Sequence, residues 1–437
     1  MKFIIAIILI GNTQFLFSQK TYPRPLDLND TQLLEHIQKQ TFRYFWDFAH
    51  PVSGLSRERS NVTHYGPEVV TIGGTGFGVM SIIVATERKW IPRDSAVSRL
   101  LKMINFLRKS ESYHGIFPHW MDGATGKTIP FSRKDDGADL VETAYLFQGL
   151  LCARQYFNAN TPRENELRNK INWTWGEAEW NWFTQGGQNV LYWHWSPNNG
   201  WSMNHKIRGW NECLITYVLA ASSERYGIKP EVYHQGWKTS THYHNGKTFY
   251  GIKLPLGFDY GGPLFFAHYS FLGLDPRGLI DDKVNLWEQN LNHTLINREY
   301  CIRNPKGYKG YGENCWGLTS SDNMRGYAGH SPTEDLGVIS PTAALSSFPY
   351  TPEHSMKALK YFYFDLGDKI WSQYGFVDAF SETENWYADS HLAIDQGPII
   401  VMIENYRTGL LWRLFMSCPE IISGLKKLGF RRSPIKK

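Results

Sequence analysis

The chain has 437 residues, of which 42% are hydrophobic, 15% aromatic and 20% charged, and its formal net charge at pH 7 is +5. Residues 426–437 hold six basic side chains and no acidic one; without these six and Lys2, the formal charge falls from +5 to −2. This distribution argues against a basic surface that follows nucleic acid, and we expect no nucleic-acid partner.

The first eighteen residues have the pattern of a secretory leader. Lys2 precedes an apolar run over 3–10, and a second short apolar group ends at Ser18. The run is too short to span a membrane, and a buried N-terminal strand is the alternative. We therefore expect a signal peptide at 1–18, one domain over 19–437, export across the inner membrane to the periplasm, no membrane span and a monomer.

Helical patterns dominate the rest of the chain, and several have recognisable ends. Thr161-Pro162-Arg163-Glu164 is a capping box with proline at the first helical position. Gly227 is typical of a position just after a helix. The predicted helices cover 30–48, 77–90, 94–107, 138–157, a segment from 162, 210–226, 264–274, 281–300, 341–348, 353–371, 393–406 and 419–429.

These helices pair naturally as six hairpins, and the loops between them are long. The loops at 110–135, 186–209, 236–263 and 303–340 are rich in glycine, aromatic and polar residues. Long irregular loops in a compact domain are usually functional. We predict an all-α fold, an (α/α)6 barrel with minor β-hairpins around the cleft, for example at 192–195 and 247–258. An irregular helical bundle is the alternative.

The cysteines and histidines give little support for a disulfide bond or a metal site. The five cysteines form no short-range pattern; Cys152 and Cys213 lie in apolar stretches, and a Cys301–Cys315 disulfide stays open. Histidines and cysteines at zinc-ligand spacing are lacking. We therefore expect neither a metal nor another cofactor.

A first group of carboxylates stands where an apolar helical stretch begins. Asp135, Asp139 and Glu142 are spaced i, i+4 and i+7, so on a helix they share one face. Mutual repulsion would raise at least one pKa, which acid/base catalysis requires. Helix capping is the plainer explanation. Asp-Asp-x-x-Asp also matches the magnesium-binding pattern of terpene synthases, but the match is short and no second motif accompanies it.

A second candidate is Glu212, which directly precedes an apolar helical stretch. Burial beside Trp210 would raise its pKa and keep it protonated, as a general acid requires. Its alternative is the partner in a capping box. His205, Arg208 and Asn211 lie just before it and are candidates for binding sugar hydroxyls, or for surface ion pairs.

A third candidate is Asp395, at the start of the helical stretch 393–406, where it is either catalytic or a helix cap. The 17 tryptophans supply flat faces of the kind on which sugar rings stack. The remaining candidate binding residues are Trp120, Asn314, Trp316, Trp386 and Tyr387. Separate carboxylates at helix starts together with aromatic surfaces favour a carbohydrate hydrolase. A non-catalytic glycan-binding protein is the alternative of another class.

Six motifs together resemble a bacterial family once labelled glycoamylase-like, whose characterised members form glycoside hydrolase family 144, the endo-β-1,2-glucanases. The similarity runs from about residue 30 to 430. The motifs are Gly73-Gly-Thr-Gly-Phe-Gly78, Phe117-Pro-His-Trp120, Asp135-Asp-Gly-Ala-Asp-Leu-Val-Glu142, Gly209-Trp-Asn-Glu212, Tyr311-Gly-Glu-Asn-Cys-Trp-Gly317 and Ala393-Ile-Asp-Gln-Gly-Pro398.

This resemblance implies an (α/α)6 barrel and inverting cleavage of β-1,2-glucan to sophoro-oligosaccharides, with a β-glucan or oligosaccharide as the partner. It implies Glu212 as general acid and Asp395 or Asp139 as the base that activates water. Asp135 and Glu142 would position water or sugar hydroxyls. An exo-acting enzyme, or one for another glucan linkage, is the alternative on the same fold.

Overall fold

The computed structural model describes residues 22, 24–61 and 65–434, so the predicted signal peptide lies outside the described residues. The fold is mostly helical. The helices are α1 (Asp30–Trp46), α2 (Ile72–Glu87), α3 (Arg93–Leu107), α4 (Leu140–Tyr156), α5 (Pro162–Gly176), α6 (Leu214–Ser222), α7 (Leu286–Arg303), α8 (Pro341–Leu345), α9 (Pro352–Lys360), α10 (Gly367–Ile370), α11 (Ala393–Arg407), α12 (Leu410–Met416) and α13 (Pro419–Lys427).

Short antiparallel strands connect and flank the helices. They are β1 (Val69–Thr71), β2 (Trp120–Asp122), β3 (Thr128–Ile129), β4 (Ala138–Asp139), β5 (His194–Trp195), β6 (Thr248–Phe249), β7 (Ile252–Lys253), β8 (Leu279–Asp281), β9 (Val284–Asn285), β10 (Ser320–Asn323), β11 (Gly326–Gly329), β12 (Trp371–Ser372), β13 (Gly375–Phe376), β14 (Phe380–Ser381), β15 (Trp386–Tyr387) and β16 (Arg431–Arg432). They form the sheets β1-β2-β3, β16-β8-β9, β4-β5 and four hairpins of consecutive strands.

The helices form an inner and an outer group. In α2 and α4 nearly every side chain is buried, and the same holds for α11, as expected of helices surrounded by other elements. In α1 and α3, buried residues alternate with exposed ones at helical spacing, so one face packs inward. The helix α2 packs most extensively against α4 and then against α11. Closure of six hairpins into a barrel stays a prediction.

Glycine allows the inner helices α2 and α4 to pack closely. A side chain at Gly76 would collide with the backbone of Tyr145, and one at Gly149 would collide with the backbone of Gly76. The two backbones therefore touch at Gly76 and Gly149. The glycine-rich motif at 73–78 is part of a buried helix, where an added side chain would collide with α4 at Gly73 and Gly76, with Ala393 of α11 at Gly74 and with Phe45 of α1 at Gly78.

Several helix predictions hold, while others are wrong in extent. The Thr161 cap is confirmed, since the Thr161 hydroxyl accepts a hydrogen bond from the Glu164 amide and Pro162 starts α5. The predicted helix 210–226 is wrong at both ends, because α6 covers only Leu214–Ser222. The segment 353–371 contains α9, a π-helical turn and α10. Residues 264–274 form two 3-10 turns, and α12 was not predicted.

The predictions for the hairpins and the cysteines have mixed outcomes. The hairpin within 247–258 is confirmed by β6 and β7. Residues 192–195 do not form their own hairpin, because β5 pairs with β4 instead. All five cysteines are buried and free, so Cys301 and Cys315 are not bridged. Among the described residues, no helix combines the length and the apolar character that a membrane crossing requires.

Candidate active site

A cavity of about 270 Å³ opens where several inner helices begin. Thr71 is the N-cap of α2, Glu142 lies in the first turn of α4, Glu212 precedes α6 and Leu392 is the N-cap of α11. The cavity is lined by Glu58, Arg59, Tyr65, Thr71, His119, Trp120, Phe131, Glu142, Tyr145, Trp193, Glu212, Phe265, Tyr269, Tyr327, Leu392 and Ile394. Helix N-termini favour negative charge, so they suit a site built on carboxylates.

Glu142 is held in place by the start of α2. Its Oε2 accepts hydrogen bonds from the Gly73 amide at 2.8 Å and from the Thr71 hydroxyl at 3.4 Å. A side chain at Gly73 would occupy the position of that carboxylate, so this glycine makes the contact possible. Burial, opposed by His119, raises the pKa of Glu142 to about 7.

Besides Glu58, the cavity wall carries a third carboxyl group, Glu212, whose surroundings are less polar than those of Glu142. Its side-chain Oε2 is buried and has no hydrogen-bond partner among the described residues. The Ser270 hydroxyl donates to its backbone carbonyl, which fixes the turn before α6. Burial raises the pKa of Glu212 to about 7, and the nearby Glu142 contributes in the same direction. Glu212 is therefore a carboxylic acid that stays largely protonated up to neutral pH.

Asp139 caps α4 and anchors an imidazole. Its Oδ1 accepts hydrogen bonds from the Glu142 amide at 2.9 Å and from the Trp193 indole at 3.0 Å. Its Oδ2 lies 2.9 Å from His119 Nδ1. Burial opposes its ionisation, but the bond from His119 and the proximity of His194 lower the pKa of Asp139. Asp139 is thus a structural anion and a weak base.

His119 carries a positive charge on the cavity wall, to which Arg59 also belongs. Burial alone would lower its pKa, but Glu142, Asp139 and Asp135 together raise the pKa of His119 to about 9. Its ring stacks on Phe131, with the centroids 4.1 Å apart. Asp135 lies beside this pair, with its Oδ1 3.3 Å from His194 Nδ1.

Among the described residues, one group of side chains has the spacing of metal ligands. Ligand atoms of His119, Asp135 and Asp139 lie within 4.8 Å of one another. A protonated imidazole cannot be a metal ligand at the nitrogen that carries its proton. The 2.9 Å contact between His119 Nδ1 and Asp139 Oδ2 and the raised pKa of His119 fit an ion pair. The expectation of a metal-free site stays a prediction.

Asp395 reaches the cavity only through a neighbour. It lies in the first turn of α11, is 1% exposed and does not line the cavity. Its Oδ1 accepts a hydrogen bond of 3.3 Å from the Tyr269 hydroxyl, and Tyr269 lines the cavity. The three candidates Asp139, Glu212 and Asp395 therefore surround one site, but Glu212 alone of them faces its interior.

The prediction that Asp135, Asp139 and Glu142 share one helix face is wrong. Asp135 pairs with Ser132 in a turn, Asp139 belongs to β4, and α4 begins only at Leu140. The turn and the strand nevertheless bring the three carboxyl groups around His119.

The predicted sugar-binding residues near the cavity fall into two groups. Trp120 lines it, with Tyr65 and Phe131 each at a ring-centroid distance of 4.8 Å. His205 is exposed and stacks on the lining residue Trp193 at 4.9 Å. Outside the lining, Arg208 is exposed, and Asn211 accepts a hydrogen bond from the Cys213 amide before α6.

Four other predicted sugar-binding residues lie away from this cavity. Trp316 is 0% exposed in the core, and Asn314 belongs to a separate surface depression beside Lys357. Trp386 and Tyr387 form β15 and are half-buried against the core. These four residues do not line the cavity, and their role in sugar binding stays a prediction.

Most residues of the cavity wall have no recognisable pattern in the sequence. Tyr269 and Tyr327 lie on a 3-10 turn and on β11, and Arg59 lies in a loop; no periodic pattern marks them. His119 and Trp193 could have been found from the sequence, since both occur in runs rich in histidine and aromatic residues. Tyr145 lies in the apolar helix α4, as a core residue would, but its buried hydroxyl has no hydrogen-bond partner among the described residues.

Comparison with known proteins gives consistent matches. The family described as "Putative glucoamylase" matches residues 204–419. A "putative glucoamylase" from Bacteroides uniformis is 62% identical, with a TM-score of 0.92 over 93% of this chain and 99% of that one. An endo-β-1,2-glucanase from Chitinophaga pinensis, solved with sophorotriose and glucose, is 54% identical, with a TM-score of 0.91 over 94% of this chain and 100% of that one.

A third relative acts from a chain end. The exo β-1,2-glucooligosaccharide sophorohydrolase (non-reducing end) of Parabacteroides distasonis is 46% identical over 96% of this chain. The chain spans 60% of the length of that relative. Such identities over whole chains, together with the shared fold, show that the chain belongs to the glucoamylase-like family that includes the endo-β-1,2-glucanases, glycoside hydrolase family 144.

Proposed function

We propose that the protein is a glycoside hydrolase that cleaves β-1,2-glucan internally, with inversion, to sophoro-oligosaccharides. The observation that carries this proposal is Glu212, a carboxyl group with a pKa of about 7 whose Oε2 has no hydrogen-bond partner among the described residues and which faces the cavity. The departure of a glycosidic oxygen requires a protonated carboxyl group beside the scissile bond. Glu212 is the general acid.

Asp395 is the base, and it acts through Tyr269. Asp139, the other predicted base, is saturated with hydrogen bonds and has a lowered pKa. Asp395 can take a proton from the cavity through the Tyr269 hydroxyl, which bonds to its Oδ1. A carboxylate behind a tyrosine cannot attack the anomeric carbon, whereas it can activate a water molecule, and this favours inversion.

Glu142 and His119 bind the substrate in this proposal. The hydrogen bonds from Gly73 and Thr71 fix Oε2 of Glu142, and the Glu142 side chain lines the cavity. His119, held as a cation by Asp139, offers a donor on the same wall. Together they can hold neighbouring hydroxyl groups of one sugar ring.

Endo action is favoured by the mouth of the cavity and by similarity. Tyr65, Phe131 and Tyr327 line the cavity and are 41%, 48% and 51% exposed, so rings of a longer chain can stack outside it. The endo-acting relative is matched over its whole chain. Exo action that releases sophorose is the second candidate, because the relative from P. distasonis acts in that way. Export to the periplasm is part of the proposal and rests on residues 1–18.

The test is hydrolysis of a panel of linkage-defined β-glucans by the wild type and by Glu212→Gln. We expect the wild type to cleave the 1,2-linked polymer at least about 100-fold faster than the 1,3-, 1,4- and 1,6-linked polymers. Glu212→Gln keeps the shape but cannot donate a proton, so we expect activity to fall about 100- to 10,000-fold while oligosaccharide binding persists. Glu313→Gln, at an exposed position, is the matched control. Wild-type turnover in Glu212→Gln would remove the acid role.

A further inference from the structure

A second pair of carboxyl groups lies directly behind Tyr269. Asp378 precedes β14 and Asp395 lies in α11; they are 2% and 1% exposed. Asp378 Oδ2 accepts a hydrogen bond of 2.7 Å from the Asp322 amide, and Asp395 Oδ1 accepts one from Tyr269. The other two oxygens, Asp378 Oδ1 and Asp395 Oδ2, are buried and have no donor in the part of the chain that the structure describes.

The charges around this pair cannot neutralise two carboxylates. The nearby cation, Arg59, makes its ion pairs with Glu58 at 2.9 Å and with Asp322 at 3.1 Å. The tyrosine hydroxyls of Tyr269 and Tyr327 are the remaining titratable groups that face the pair. Two adjacent buried carboxyl groups in such surroundings do not both ionise, and they hold one proton between them.

The shifts of the two pKa values agree with the geometry. Burial and the negative charge of Asp322 raise the pKa of Asp378 to about 7. Burial and Asp378 hold the pKa of Asp395 well above its usual range. Asp395 is therefore the carboxyl group that carries the proton, and Asp378 carries the negative charge, which the Asp322 amide stabilises.

We propose that Asp378 completes the base: its Oδ1 and Asp395 Oδ2 share one proton, and Asp378 receives the proton that Asp395 takes from the cavity. Asp378 acts through Asp395 and is a positioning residue. The sharing of the proton stands on two interacting side chains that each hold a buried oxygen without a donor among the described residues, while its role in turnover rests on the proposed hydrolysis.

The proton transfer balances. As water adds to the anomeric carbon, its proton passes to the Tyr269 oxygen, and the Tyr269 proton passes to Asp395 Oδ1. The proton already on Asp395 Oδ2 then moves to Asp378 Oδ1, so the pair changes from a monoanion to a neutral pair. Glu212 meanwhile gives its proton to the leaving oxygen. Loss of one proton from the pair to solvent and gain of one by Glu212 restore the starting state.

Infrared difference spectroscopy of the full-length protein at about pH 8, above the pKa of Asp378 and below that of Asp395, tests the shared proton without substrate. We expect the C=O stretching band of a protonated carboxylic acid to be lost in Asp378→Asn, because the new amide donates to Asp395 and Asp395 ionises. Asp395→Asn should remove the same band. If one of the two variants does not fold, the other still makes the test. Glu212→Gln should remove a different band, one that the wild type shows only below about pH 7. Persistence of the band in Asp378→Asn would overturn the proposal.

The pH dependence of hydrolysis tests the role in turnover. In Asp378→Asn we expect the acidic limb of kcat/KM to move to lower pH by about 1–3 units, because Asp395 alone ionises more easily. Asp335→Asn is the matched control, since Asp335 is equally buried but accepts hydrogen bonds from Tyr300, Tyr311 and the Gly337 amide. An unmoved limb in Asp378→Asn contradicts the role. Absence of hydrolysis in the wild type would reject the proposed function, while the infrared result still decides the shared proton.

Discussion

Glu142 and Glu212 lie on the same cavity wall, yet they suit different tasks. Burial brings the pKa of each to about 7. Glu142 receives hydrogen bonds from Gly73 and Thr71 that favour its charged form, whereas Glu212 Oε2 receives none among the described residues. The difference in surroundings, and not in pKa, is the reason why we propose Glu142 as a binding group and Glu212 as the acid.

The alkaline limb of the activity profile follows from Glu212. Because the acid must be protonated, we expect kcat/KM on β-1,2-glucan to fall about tenfold per pH unit above about pH 7. Initial rates between about pH 5 and 9 measure this limb. A plateau that extends beyond about pH 9 would contradict the assignment of Glu212 as the proton donor.

Residue-scale chemistry was partly predictable from the sequence. Glu212 precedes a strongly apolar helix, and burial with a raised pKa follows from that neighbourhood. The tasks of Asp139 and Asp395 were not predictable, because they depend on His119, Tyr269 and Asp378, which are distant in the chain. Only the folded chain shows that Asp139 is saturated with hydrogen bonds while Asp395 Oδ2 is buried without a donor among the described residues.

At the scale of elements, the site consists of helix starts. The first turns of α2, α4 and α11 and the turn before α6 meet at the cavity. The positive ends of these helices favour carboxylates, and short strands such as β1 and β4 lead directly into them. The carboxyl groups of the proposed site are therefore positioned by buried elements, while Phe131 and Tyr327 come from the loop and hairpin at the mouth.

Gly73 tests this arrangement, because a methyl group there would meet the Glu142 carboxylate and the Tyr145 ring. We expect Gly73→Ala to displace Glu142 and to lower kcat/KM about 100-fold, as displacements of about 1 Å do in active sites. The matched control is Gly176→Ala at the end of α5, where a Cβ meets nothing within 4 Å. Activity close to that of the wild type in Gly73→Ala would show that the contact with Glu142 is dispensable.

The helices were easier to predict than their ends. Long amphipathic segments such as α1 and α3 have a clear period, and α5 has a capping sequence. The start of α6 was predicted too early, because Asn211 caps the turn at Cys213 and the helix begins after it. The seven residues of α12 are too few to establish a period.

At the scale of the whole molecule, the burial of an acidic side chain makes the stability of the folded protein depend on pH. Glu212 has a pKa near 4.5 when exposed and about 7 in the fold, so the folded state binds more protons between these values. Stability contributed by the protonated group is therefore present below about pH 4.5 and is lost as the pH rises towards about 7.

Glu212→Gln removes this cost, so we expect the variant to be more stable than the wild type by about 1–3 kcal/mol at about pH 8 and by nothing near pH 4. Thermal unfolding at the two pH values measures the difference. Glu313→Gln, exposed, serves as the control. Equal melting temperatures of Glu212→Gln and the wild type at about pH 8 would mean that burial does not raise the pKa of Glu212.

At the scale of the molecule, the sequence predicted a helical fold with the site between distant segments, and the inner helices α2, α4 and α11 agree with it. The short strands among the described residues were mostly beyond prediction, since strands of two to four residues have too few positions to show alternation. The cavity wall was also beyond prediction, because loop residues are brought there by tertiary packing.

The most direct measurement is proton NMR of linear β-1,2-glucan during the first turnovers, with the anomeric signals of the new reducing ends resolved. If water is activated by Asp395 behind Tyr269, the first products are α-anomers, and they are sophoro-oligosaccharides of several lengths. First products that are β-anomers would mean that a carboxylate attacks the sugar directly, and this would contradict the proposed site.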